Sequence, residues 1–407
     1  MQLIMRKYYI YMIICFFPIF AFSQVDQIDQ MEKQTNEGNQ LFTDTIKSLI
    51  PISKQSLLRD IDVVFNTRMA YDSKFFDGEH TLSNFNVNQL RFEVKGKIHD
   101  KVYFRFRNRY TREPIPGNLD NISRSVDLAF VRIDLSPRTN FSFGKLCADW
   151  GGWEFDFNPI DILAYNDIIE YADNFLVGAG ISHTLSDEKN SFSFQILNSR
   201  TKTYEEQYGS TAPPNLNPSE YPLAAVVNWR GNFFDGKFET TYSYSFFNEA
   251  KGAHMNYFAL GNKFKAKNLL LYYDFQYSDE GLDRKGIISG IISNQYQYAA
   301  QNTLYVENWI RAEYLVNPKI NLLLTVMTSN ASWKDNPDPN GSSKLSTSYG
   351  LIPTIQYMPF KDFNMKFYLG YVARKYNYTG YAETTFGAKD YTTGLLSFGI
   401  IAPLLVL

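Results

Sequence analysis

From about residue 60 onward, apolar and polar side chains alternate with a period of two. The clearest stretch runs from Val102 to Tyr110, where Val102, Phe104, Phe106 and Tyr110 alternate with Tyr103, Arg105, Arg107 and Arg109. Successive side chains of a β-strand point to opposite faces, so this spacing predicts strands with one apolar and one polar face. Leu90, Phe92, Val94 and Ile98 oppose Gln89, Arg91, Glu93, Lys95 and Lys97 in the same way. So do Phe238, Tyr242, Tyr244 and Phe246 against Glu239, Thr241, Ser243 and Ser245. No comparably long helical period occurs beyond the N-terminal segment.

The connections between these runs fall into two classes. Short turns are expected at 99–100, 136–138, 186–188, 234–236, 266–268, 317–319 and 359–361. Longer polar connections are expected at 73–84, 112–123, 148–174, 199–220, 247–254, 279–299, 329–346 and 378–390. Seven turns alternating with eight loops predict about sixteen strands. Short turns on one side and long loops on the other, with apolar-out, polar-in strands, describe an all-β transmembrane antiparallel barrel of the outer membrane. Closure is a physical requirement there, because an open sheet edge would leave backbone groups unpaired in lipid.

Composition supports this reading. Aromatic residues make up 16% of the 407 residues, many near expected strand ends, as in the interfacial girdles of membrane barrels. Mean hydropathy is −0.30, and no run long enough for a membrane helix follows residue 23. Residues 6–23 carry two positive charges, an apolar stretch and small residues before Gln24, the layout of a cleaved export signal over residues 1–23. Residues 24–58 read as a polar periplasmic leader, and 59–407 as the barrel. The net charge of −2 gives no reason to expect nucleic acid, and Cys15 and Cys147 are too few for a cysteine-based metal site.

Several stretches together resemble the phosphate-selective porin O and P family, in the form common in Gram-negative Bacteroidetes-type bacteria. They are QLRFEVKGKI (89–98), KVYFRFRNRY (101–110), DLAFVRIDLSPRTNFSFGKL (127–146) with Gly144-Lys145, WGGWEFDFNPID (150–161) and AEYLVNPKINLLL (312–324). The resemblance implies a sixteen-stranded barrel, usually a homotrimer, that admits small anions past basic residues. It implies neither enzymatic activity nor a cofactor or metal. The expected surroundings are outer-membrane lipid and lipopolysaccharide. The chain departs from many outer-membrane barrels in ending on Leu407, with Phe398 the nearest aromatic residue.

Selectivity is then the chemistry to explain. Arg68, Arg91, Lys95, Lys97, Arg105, Arg107 and Arg109 fall on the expected inward faces of the first three strands. Inward positions on one strand lie about 6–7 Å apart, so these cations form a ladder of forked donors for phosphate or carboxylate. A structural alternative pairs them with lumenal acids such as Glu93, Glu239, Glu307 and Glu313. The third long loop, 148–174, carries Asp149, Glu154, Asp156, Asp161, Asp167, Glu170 and Asp173 and no basic residue. Its Trp150, Trp153, Phe155 and Phe157 argue for packing inside the barrel, where an acidic loop would oppose the basic wall. Asn336-Pro-Asp338-Pro-Asn340-Gly341 mimics the start of a calcium loop, but Thr347 stands where the bidentate Glu belongs. The readings kept beside a porin are a plugged or receptor-like barrel and, more remotely, a barrel hydrolase or a transporter of hydrophobic molecules.

Overall fold

The computed structural model describes residues 61–115 and 119–406; the export signal and leader lie outside the described residues. Sixteen antiparallel strands form one closed barrel, each hydrogen-bonded to its neighbours in chain order. The first five are β1 (Ile61–Phe76), β2 (Glu79–His99), β3 (Val102–Arg109), β4 (Val126–Ser136) and β5 (Thr139–Cys147). Next come β6 (Phe175–Thr184), β7 (Asn190–Asn198), β8 (Leu223–Phe233), β9 (Phe238–Ala250), β10 (Ala253–Lys265) and β11 (Leu269–Leu282). The circuit ends with β12 (Gln301–Asn317), β13 (Ile320–Trp333), β14 (Lys344–Tyr357), β15 (Lys366–Tyr378) and β16 (Tyr391–Leu405).

β1 closes on β16 in unbroken register from Val64↔Leu405 to Phe76↔Thr393. The backbones approach closely at this seam. A Cβ at Gly399 would sit 2.1 Å from the Met69 carbonyl oxygen, so only glycine fits. The period-two reading holds along the wall. On β13, Leu322, Leu324 and Val326 are exposed on the outside, while Leu323, Thr325 and Met327 between them are buried.

All seven short turns are present, but two of the eight expected long connections are not loops. Residues 73–84 are mostly strand, and Asp77-Gly78 alone turns the chain, with φ of +48° and +83°. Two successive positive φ values match the right-handed twist of the flanking strands, the reason Asp-Gly makes tight hairpins. Residues 247–254 also close through a two-residue turn, Lys251-Gly252, in which Gly252 carries the positive φ of +80°. The polar residues of both stretches face the lumen or extend the strands, which is why polarity alone suggested loops.

Inside the loop-side half, an apolar core joins Trp150, Ile168 and Ile169 of the third loop to Phe247, Tyr257 and Tyr305 of the wall. The helical segments Ile287–Ile292 and Gly380–Phe386 complete it with Ile288, Ile292, Ala382 and Phe386. The packing therefore fills one side of the lumen.

Gly399→Val is expected to prevent the β1–β16 seam from forming, seen as loss of the fast-migrating, heat-modifiable species on cold SDS gels. Gly290→Val, where a Cβ would meet nothing within 4 Å, should keep it.

Candidate functional site

The inner face of β1–β3 carries the basic wall. Register places Lys95 opposite Arg105, Glu93 opposite Arg107 and Arg91 opposite Arg109, so the cations form a band two strands wide. Directly opposed residues lie about 4.5–5.5 Å apart, near enough for neighbouring guanidiniums to repel unless an acid intervenes. Two acids do so. Glu93 accepts from Arg105 Nε at 2.9 Å, and its other oxygen lies 4.0 Å from Arg107. Asp127, fully buried, binds Arg91 at 3.1 Å, Arg107 at 3.4 Å and Arg109 at 2.6 Å.

Asp127 was not among the candidate residues, and plain alternation hides it. Leu128 pairs with Arg107 and Val126 with Asn108, which leaves Asp127 as the extra residue of a β-bulge. A bulge re-aims a side chain locally, and here it turns the carboxylate to the arginine side. Of the other acids named as partners, Glu239 pairs with Lys263, and Glu313 with Arg311. Glu307 accepts from the Ile168 amide at 2.9 Å. The seven cations of this wall meet three carboxylates among the described residues, Asp62, Glu93 and Asp127, and so keep a positive excess. Lys97 is exposed and has no ion-pair partner among the described residues.

The third loop crosses the lumen and is tied to the wall opposite β2–β5. Asp149 and Asp156 both bind Arg230 of β8, at 2.7 and 3.0 Å. Asp161 binds Lys366 at 3.0 Å, and Asp167 binds Arg374 at 2.6 Å, both on β15. Asp173 accepts from Thr201 N and Oγ1 at 2.7 and 2.8 Å. Glu154 accepts from the Asn166 amide at 2.6 Å and from Gln276 at 3.3 Å. Asp274 caps the helical turn Trp153–Asp156 through the Trp153 and Glu154 amides, at 2.9 and 2.7 Å. The loop's aromatic residues pack on the same wall, Trp150 on Phe247 and Tyr257, and Phe157 on Tyr272 and Trp309. Glu170 is the exposed acid of the seven.

Arg68 stands apart from the other ladder residues. Its Nη1 donates to the Ile160 and Ile162 carbonyls, so it ties the loop to β1. A cavity of about 2110 Å³ remains, bordered by the arginine wall on one side and the loop on the other. Arg91, Lys95, Lys97, Arg105, Arg107, Arg109 and Glu170 all line it. Lys145, quoted above with Gly144, also faces inward but is buried against Asp120 at 2.7 Å. In the calcium-like stretch, Asn336 and Asp338 accept from backbone amides two residues on, as turn residues do.

Comparison with known proteins agrees with this architecture. The profile of the phosphate-selective porin O and P family matches residues 63–396. Among curated proteins none matches significantly. The outer-membrane channel DcaP of Acinetobacter baumannii superposes with a TM-score of 0.57 at 11% identity, over 85% of this chain and 98% of that one. An anion-selective porin from Comamonas acidovorans gives 0.54 at 12%, over 84% and 98%. A trimer form of OmpT from Vibrio cholerae gives 0.50 at 10%, over 84% and 99%. At these identities the likeness establishes the fold.

Two measurements test the site's construction. Asp127→Asn removes the one carboxylate shared by three arginines, and breaking a buried charge group in this way costs about 3–5 kcal/mol. The expected result is a lower urea midpoint for the folded barrel in detergent, largely restored in Asp127→Glu. Glu154 is the second. Complete burial holds its carboxyl well above the usual carboxylate range. Its contribution to stability is therefore whole below the unfolded carboxylate value and lost as pH rises through the raised folded value. Glu154→Gln should flatten that part of the fall in urea midpoint between pH 5 and pH 9.

Proposed function

Because the chain belongs to the phosphate-selective porin O and P family, we propose that its basic wall is the filter of a diffusion channel that favours small anions. The chain is an outer-membrane porin, a closed barrel through which solutes diffuse passively. A sixteen-stranded barrel is wide enough for water, so selectivity depends on what lines the remaining space. The observation that carries the proposal is the paired ranks of Arg91, Lys95, Arg105, Arg107 and Arg109 on the cavity wall, with fewer acids than cations.

An anion descending this wall exchanges one charge-assisted contact for the next. Glu93 and Asp127 weaken each contact, as conduction requires, since a site that binds too well holds its ion. The third loop narrows the passage. Most of its acids hold it to the far wall, and Glu170 is the one left to oppose the cations. The similar porin from Comamonas acidovorans is described as anion-selective, and OmpT has a trimer form. Anion preference and a homotrimer in lipid and lipopolysaccharide are the corresponding proposals here. Removal of residues 1–23 on export, and a leader over residues 24–58, belong to the same reading.

The test is current across a planar bilayer under a KCl gradient. Stepwise conductance with a chloride-favouring reversal potential is expected. The preference should fall several-fold in the triple variant Arg105→Ala, Arg107→Ala, Arg109→Ala. Conductance without anion preference would reject the filter and keep the channel. Absence of current from verified folded barrels would favour a plugged receptor, a reading that the apolar core in the loop-side half supports.

A further inference from the structure

Above the arginine wall, at the loop-side end of β1, β2, β15 and β16, lies a second set of inward side chains that anion filtering does not require. Ladder residue Arg68, and Asp72, Lys74 and Phe76 after it, share the lumenal face of β1. Tyr391 shares that face on β16 with Ser397, whose hydroxyl donates to Asp72 at 2.6 Å. On β15, Tyr376 lies two residues beyond Arg374, which binds the third loop.

Phe76, Tyr391 and Tyr376 form a stack across three strands. The Phe76 and Tyr391 centroids are 5.7 Å apart at 18°, and those of Tyr391 and Tyr376 are 4.5 Å apart at 14°. Arg374 covers the Tyr376 ring at 5.3 Å, so the accessible aromatic surface is that of Phe76, 50% exposed. Below it, Lys74 is exposed without an ion-pair partner among the described residues. Next come the amides of Asn84, Asn86 and Asn88, the latter two donating to Asp72 at 3.0 and 2.7 Å. Of these side chains Asn88, with Gln89 beside it, lines the cavity, and the side-chain oxygens of both have no hydrogen-bond partner. Arg91 follows on the same strand.

Inorganic phosphate gains nothing from an aromatic surface and little from the unpartnered amide oxygens of Asn88 and Gln89. A pyranose ring gains from both. Its C–H face packs on an aromatic ring, and its hydroxyls, each donor and acceptor, match side-chain amides, which are both as well. We propose that this quadrant is an entry path for sugars that carry a phosphate or carboxylate. The ring is received at Phe76, its hydroxyls pass along the asparagines, and its anionic group is drawn first to Lys74 and then to the arginines. From Phe76 to Asn66, which faces Arg91, is ten residues, roughly 33 Å at the usual strand rise. One monosaccharide cannot bridge that distance, so the contacts act in succession, each weak enough to release.

This inference rests on the anion-channel reading, and the experiment separates the two. Chloride current is recorded while glucose 6-phosphate, glucuronate, inorganic phosphate or glucose is added on the loop side. Glucose 6-phosphate or glucuronate should interrupt the current at lower concentration than either phosphate or glucose. Phe76→Ala, or Asn84→Ala with Asn86→Ala, should weaken that interruption about fivefold to tenfold, as expected for loss of one aromatic contact, and leave the effect of phosphate unchanged. Phe76→Tyr should retain it. Equal potency of phosphate and the acidic sugars, or equal loss for both in the variants, would overturn the sugar path while the anion channel stands. Interruption by glucose as strong as by its phosphate would overturn the need for the anionic group. Loss of all anion preference in the unmodified protein would remove the channel reading and this one with it.

Discussion

The constraint on which everything else depends is that a backbone in hydrocarbon must satisfy its own hydrogen bonds. A sheet achieves this only by closing, and here closure rests on the β1–β16 seam, where Gly399 lets two backbones meet. Once the cylinder is shut, each strand has one face toward lipid and one toward the lumen. Most charged residues that the strands carry are then directed inward. The lumen thus becomes a crowded polar interior whose charges must pair with one another, face water or repel.

Their distribution around the barrel is uneven. On β8–β15, wall cations such as Arg230, Lys366 and Arg374 meet acids of the third loop nearly one for one. That matching, with the aromatic packing of Trp150, Trp153 and Phe157, fixes the loop to one side of the barrel. On β1–β3 the cations outnumber the acids, and apart from Arg68, which holds the loop's Ile160 and Ile162 carbonyls, they border the remaining cavity. The open passage and the positive field therefore coincide because the same loop placement produces both.

Alternation read along the chain was enough for the barrel class and the inward direction of the arginines, because each depends on side-chain period, and the alternation of short and long connections was enough for the strand number. What it missed depends on backbone detail. Asp77-Gly78 carried the residue signal for a tight hairpin, but the polar lumenal residues around it made 73–84 resemble a loop. Asp127 sits in a run, Val126 to Phe130, whose apolar character masks the bulge that re-aims it. The partners of the third loop were beyond reach for another reason. Asp161–Lys366 and Asp167–Arg374 join residues some two hundred positions apart, and nothing local announces such pairs. The aromatic residues of that loop were a sounder guide to its packing than its charges were to its partners.

The bulge at Asp127 also bears on how selectivity and stability are reconciled. Three guanidiniums on neighbouring strands, desolvated by a protein wall, repel strongly unless a carboxylate stands among them. A carboxylate at a regular inward position would take the place of one rung of the ladder, as Glu93 does on β2. A bulge adds an acid without removing a cation, since the extra residue has no partner in the register. The wall can thus carry arginine at every inward position of β3 from 105 to 109 and still hold together. In the proposed filter the same acid would limit how tightly a passing anion is held, so one backbone irregularity would serve both the fold and the flow through it.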